Sequence, residues 1–150
     1  MQPSEVLRRV RHDHEGLRAR VSEIETLAKN VMSGDEAQIG KLLECGKALT
    51  GTLAQHMRWE DLYLAPALED ADAWGPERAA LLAEDHREQR EVLARLIDSL
   101  EDPQEPASVL ATNLVQFAHH LMQDMEEEEA SFVNSNVLRD DVIGIDVEGG

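Results

Sequence analysis

Four runs of roughly 25 residues, each with apolar side chains returning every three or four positions, restrict this chain to an all-α fold. The first run carries Val6, Val10, Leu17, Val21, Ile24, Leu27 or Ala28, and Val31. It starts near Ser4, whose hydroxyl can cap the first turn, and Ser33-Gly34-Asp35 stops it. The second extends from about Glu36 to Leu64 with Leu42, Leu49 and Leu53 on one face, and Pro66 is expected to end it. Gly46 and Gly51 weaken that helix by up to ~1 kcal/mol each. A loop from Asp72 to Gly75-Pro76 leads into the third run, with Leu82, Leu93, Leu96 and Leu100, which ends before Pro103. The fourth, from about Ala107 to Val133, carries Leu110, Leu114, Phe117, Leu121, Met125 and Phe132. Helices of this length with short links favour antiparallel neighbours, so the predicted architecture is an up-down-up-down four-helix bundle over residues 1–133. In the remaining tail, 134–150, Val142, Ile143, Ile145 and Val147 alternate with Asp and Gly, as a docked extended segment or a disordered one.

The length of 150 residues suits one domain with one core. With 31 acidic against 14 basic residues, the field of the chain repels phosphate backbones and anionic head groups and attracts cations, which argues against nucleic acid or a membrane as partner. A solvated acidic surface accounts for such an excess without any metal site. One cysteine, Cys45, rules out a disulfide within the chain and a thiolate zinc site, and is expected to be a small buried filler. A bound metal must therefore use nitrogen and oxygen. The segment MQPSEVLRRV lacks the apolar run of a signal peptide and no stretch is long enough to span a membrane, so the cytoplasm is the expected location.

The histidines are not scattered. His14, His56 and His86 each fall within the apolar stripe of a different helix. A single histidine on such a face is an ordinary core residue. Three facing one another are different, because burying each imidazole without a partner costs about 1–3 kcal/mol, and one metal ion would serve them all. In H56-M-R-W-E60 the histidine and glutamate are four residues apart, hence stacked on one helix face and able to donate to the same metal. An ordinary hydrogen-bonded pair would have the same spacing. Imidazole with carboxylate suits iron, zinc or manganese.

These residues bring a family into view. The stretches R-H-D-H14-E-G-L, H56-M-R-W-E60-D-L-Y-L-A-P66, E-D-H86-R-E-Q-R90 and H119-H120-L-M-Q-D124 resemble the hemerythrin-like domain family, also called the HHE cation-binding domain, over roughly residues 5 to 133. The resemblance implies a four-helix bundle holding a non-haem di-iron centre bridged by carboxylates, which binds oxygen or serves responses to iron, peroxide or nitric oxide. Carried over residue by residue, it implies His14, His56 and His86 as ligands and Glu60 as a carboxylate bridge. On the fourth helix His119 with Asp124 reproduces the spacing of five found in the oxygen carriers. His120 with Asp124 gives a spacing of four, and a third frame uses Gln123 and Glu127.

The family's oxygen carriers have a second histidine four residues after the one on the third helix, where this chain has Arg90. A guanidinium cannot ligate a metal. One iron thus lacks a nitrogen donor unless His12, His119 or water supplies it, and His12 lies on the polar face of the first helix. Trp59 and Tyr63 are expected to be packing residues. The sequence reading is therefore an iron protein that binds or responds to oxygen, peroxide or nitric oxide, with enzymatic activity left undecided. The alternative is a non-catalytic helical bundle with a degenerate metal site, acting as a protein-interaction module.

Overall fold

The computed structural model describes residues 1–140, and the alternating Val142, Ile143, Ile145 and Val147 lie outside them. The chain is all-α. Helix α1 runs Pro3–Met32, α2 Ile39–Trp59, α3 Ala65–Ala71, α4 Gly75–Glu101 and α5 Ala107–Ser131. A π-helical turn, Glu60–Leu64, joins α2 to α3, so the second long helix of the bundle is α2 continued through α3. Each long helix packs against the next in sequence and α5 closes on α1, which gives the four-helix ring with short connections. No helix among the described residues is long and apolar enough to cross a membrane.

Three local expectations change. Ser4 does not cap α1: the backbone N–H of Gln2 donates to Glu5 Oε2 at 3.1 Å, while the Ser4 hydroxyl donates to Asp140 Oδ2 at 2.6 Å and ties the chain beyond α5 to the start of the bundle. Pro66 does not end the second helix, which continues to Ala71. A proline lacks an N–H and crowds the carbonyl four residues back. The π turn accommodates both by widening the backbone just before it. Cys45 is half-buried rather than buried, and its thiol donates to Glu23 Oε1 at 3.4 Å.

The core is divided. One apolar layer fills most of the bundle, with Leu17, Ile24, Leu42, Leu49, Met57, Leu114 and Met125 all 3% exposed or less. A second layer gathers Val6, Val10, Leu64, Leu68, Leu82 and Phe132 at the other end, where Val137 and Leu138 of the tail also pack. The division occurs at one level in every long helix. His14 lies between Val10 and Leu17, Glu60 between Met57 and Leu64, His86 between Leu82 and Leu93, and Glu128 between Met125 and Phe132.

Two glycines give opposite expectations. A Cβ on Gly75 would lie 2.1 Å from the Leu68 carbonyl oxygen and 2.5 Å from that of Glu69, because α4 starts against the backbone of α3. Gly75→Ala therefore destabilises the fold by about 1–3 kcal/mol in denaturant unfolding. A Cβ on Gly51 meets nothing within 4 Å, so Gly51→Ala stabilises by about 0.5–1 kcal/mol through helix propensity alone. Equal effects at the two positions would contradict the packing of α3 on α4.

Candidate metal centre

Between the two apolar layers five ionisable side chains turn inward. His14, Glu60 and His86 are each 1% exposed, His56 is 6%, and the Glu128 side chain is 11%. His14 comes from α1, His56 from the last turn of α2, Glu60 from the π turn, His86 from α4 and Glu128 from α5. His14 Nε2 is 3.3 Å from Glu128 Oε1, and His56 Nε2 and His86 Nε2 are 3.2 and 3.1 Å from Glu60 Oε1. Donor atoms of His14, His56, Glu60 and Glu128 all lie within 4.8 Å of one another, and His86 adjoins the group through Glu60.

Behind each imidazole stands a carboxylate, and behind each carboxylate an arginine. His14 Nδ1 is 3.3 Å from Glu129, His56 Nδ1 is 3.1 Å from Asp13, and His86 Nδ1 is 2.7 Å from Asp61. Arg18 donates to Glu129 at 2.5 Å, Arg9 to Asp13 at 3.1 Å and Arg90 to Asp61 at 2.5 Å. Consecutive helical residues point about 100° apart, so one of a pair faces the bundle axis and the other its flank. Three adjacent pairs use this: Asp13-His14, Glu60-Asp61 and Glu128-Glu129. The outer acid serves the histidine of another helix, α5 supporting α1, α1 supporting α2, and the π turn supporting α4. An acceptor at Nδ1 favours the tautomer whose Nε2 lone pair is free to ligate.

Electrostatics at the centre favour a cation. Burial and the charge of Glu60 push the Glu128 carboxyl well above the usual carboxylate range. Burial would raise Glu60 as well, but close polar contacts with Glu128, His56 and His86 outweigh it and hold that group far below. Burial, helped by nearby His56, lowers His14. The same burial opposes charge on His56 and His86, yet Glu60 together with Asp13 or Asp61 overcomes it and raises both. Even so, His56 Nε2, Glu60 Oε2 and Glu128 Oε1 are buried with no well-aligned hydrogen bond, since the imidazole–carboxylate contacts at 3.2 and 3.3 Å are poorly directed. Atoms left so cost about 1–3 kcal/mol each. All three are metal-ligating atoms and they face one another, so the residues present fit a bound metal ion.

The structure thus brings together four of the residues singled out in sequence, His14, His56, Glu60 and His86. It keeps the other three apart from them. His119 is 70% exposed with Glu25 at 3.8 Å, and His120 is 54% exposed, 3.9 Å from Asp124. Asp124 lies half-buried one turn before Glu128 and accepts a hydrogen bond from Gln89 at 3.0 Å. Gln123 and Glu127 are exposed. His12 is exposed on the outside of α1, and Trp59 stacks on Tyr63 with ring centres 5.0 Å apart. The α5 residue that reaches the centre, Glu128, was hidden in the run Glu126 to Glu129. Its signal was the stripe itself, which passes from Met125 to Phe132 with room for one inward residue between them.

The hemerythrin family model, described as the hemerythrin HHE cation binding domain, matches residues 5–134. No curated protein and no solved structure matches the chain. The family match runs from the first turns of α1 to beyond the end of α5, and the chain belongs to the hemerythrin HHE cation-binding domain family.

Proposed function

We propose that this protein holds non-haem iron as a pair of ions, ligated by His14, His56 and His86 and bridged by Glu60 and Glu128, and uses it to bind or respond to oxygen, peroxide or nitric oxide. The observation that carries the reading is the set of buried, unpartnered atoms His56 Nε2, Glu60 Oε2 and Glu128 Oε1 facing one another inside an apolar core. Three imidazoles with two carboxylates, the donor types by which helix bundles hold pairs of ions, support two hard cations. Iron held there would supply open coordination positions to a small ligand. The acidic surface and the single cysteine accord with action in the cytoplasm.

The chain's own residues do the rest. Asp13, Asp61 and Glu129 hold the imidazole Nδ1 protons, and Arg9, Arg90 and Arg18 hold those carboxylates in place. The apolar layers above and below keep water from the bridge. Arg90, the residue that favoured a degenerate interaction module, is bonded to Asp61 behind His86, and that position supports a working site.

Four outcomes are expected. Protein purified from iron-replete cells contains about two irons per chain with near-ultraviolet charge-transfer absorption. His56→Ala and Glu128→Ala lose both, whereas His119→Ala and His120→Ala keep them; retention of full iron by Glu128→Ala overturns the α5 assignment. Iron at 100 times its Kd raises stability by about 2.7 kcal/mol over the chelated protein, measured by thermal unfolding, and no shift contradicts iron binding. Arg90→Ala weakens iron affinity about 10–100-fold while leaving stoichiometry at saturation unchanged.

A further inference from the structure

A cleft of about 470 Å³ lies at the seam between α1 and α2, beside the His56–Asp13 contact, and its volume falls in the usual range for small-molecule sites of ~300–1,000 Å³. Arg9, His12, Gly16 and Arg20 line it from α1, and Gln55 and Trp59 from α2. These positions recur at helical spacing on each helix, so they form two parallel walls.

The chain carries a net charge of −17, yet this cleft is lined by two arginines, Arg9 and Arg20, and by His12, against one acid. Among the described residues Arg20 and His12 make no hydrogen bond or ion pair. Arg9 lies with its guanidinium 4.9 Å from the centre of the Trp59 ring, its Nε holds Asp13, and its two terminal nitrogens make no hydrogen bond among the described residues. Asp13 is the only acid in the walls, and its carboxylate is taken up by Arg9 and His56.

Gly16 lies in the middle of a 30-residue helix, where glycine costs about 0.5–1 kcal/mol relative to alanine, and a Cβ there, as at Gly40 and Gly51, would meet nothing within 4 Å. Neither helix packing nor backbone conformation calls for glycine. Its one structural effect is to leave the wall of the cleft without a side chain between Arg9 and Arg20. Those arginines are 20 − 9 = 11 positions apart, about 16 Å along the helix at ~1.5 Å per residue.

We propose that this cleft is a binding site for an elongated aliphatic dicarboxylate, one carboxylate on Arg9 and the other on Arg20, with its apolar middle lying over Gly16 and against Trp59. His56 and its partner Asp13 also line the cleft, so it backs onto the metal-ligating layer, while the proposed contacts to Arg9, Arg20 and Gly16 involve none of the metal ligands.

Titration of the full-length, iron-loaded chain with succinate, adipate, suberate and inorganic phosphate, followed by NMR and calorimetry, tests this. Saturable binding of one of the longer dicarboxylates is expected, with amide shifts at Gly16, Arg20 and Gln55 and at least tenfold preference over phosphate. Gly16→Leu, which fills the cleft, and Arg20→Gln, which removes one cation, each weaken that binding at least tenfold while iron content stays the same. Two variants are used because either may be read only if its circular dichroism and melting remain those of a folded helix bundle; both sit on the exposed side of α1, where such substitutions are tolerated. A carboxylate bound at the metal instead would be indifferent to both variants, and that result overturns the proposal. So would equal affinity for phosphate, or no amide shifts along α1 and α2.

Discussion

Burying five ionisable groups in the middle of a bundle core is the constraint on which the rest of this structure depends. His14, His56, Glu60, His86 and Glu128 occupy one level of the molecule, with apolar layers on either side. Each such group left without a partner costs on the order of 1–3 kcal/mol, and a charge costs more, while a domain of this size is stable by only about 5–15 kcal/mol. The layer is therefore tolerable only if nearly every polar atom in it is answered. The protein answers the outward-facing nitrogens completely, with Asp13, Asp61 and Glu129, and leaves inward-facing atoms unanswered at the centre. A cation satisfies nitrogen lone pairs and carboxylates together and offsets the charge they carry.

The same constraint explains local features that look unrelated. The π turn at Glu60–Leu64 falls where one helix must deliver both Glu60 to the centre and Asp61 to the back of His86. Adjacent inner and outer residues recur on α1 and α5, so a single turn of each helix contributes a donor and a support for a neighbouring donor. The supports interlock the helices in order, α5 to α1, α1 to α2, and the second helix to α4. Arginines at the surface hold the supports with contacts that would be weak alone, but here each orients a buried group. Arg90 belongs to this outer tier. Its position four residues after His86 puts it on the same side of α4, within reach of Asp61.

Much of this was legible in the residues. The four stripes located the helices because burial of one face enforces the helical period, and His14, His56 and His86 stood out because a histidine interrupts an apolar stripe visibly. The Glu60 position followed from its spacing to His56. Glu128 did not stand out: four consecutive glutamates look alike, three of them face away from the centre, and only the register of α5 against α1 selects the one that faces in. His119 and His120 drew attention as histidines, yet the turn that carries them lies beside the larger apolar layer, away from the polar level. Asp13, Asp61 and Glu129 were invisible as supports, since their partners are on other helices and no periodicity within one helix reports a contact between two. Pro66 misled for a related reason, because the widened turn that admits it is set by tertiary placement of Glu60 and Asp61.

The most direct measurement is iron-edge anomalous diffraction from crystals of the iron-loaded protein. Two anomalous peaks are expected in the polar layer, one beside His14 and His56 and one beside His86, with Glu60 and Glu128 between them. A peak at the exposed His119 and His120 surface, or none within the bundle, would contradict the account.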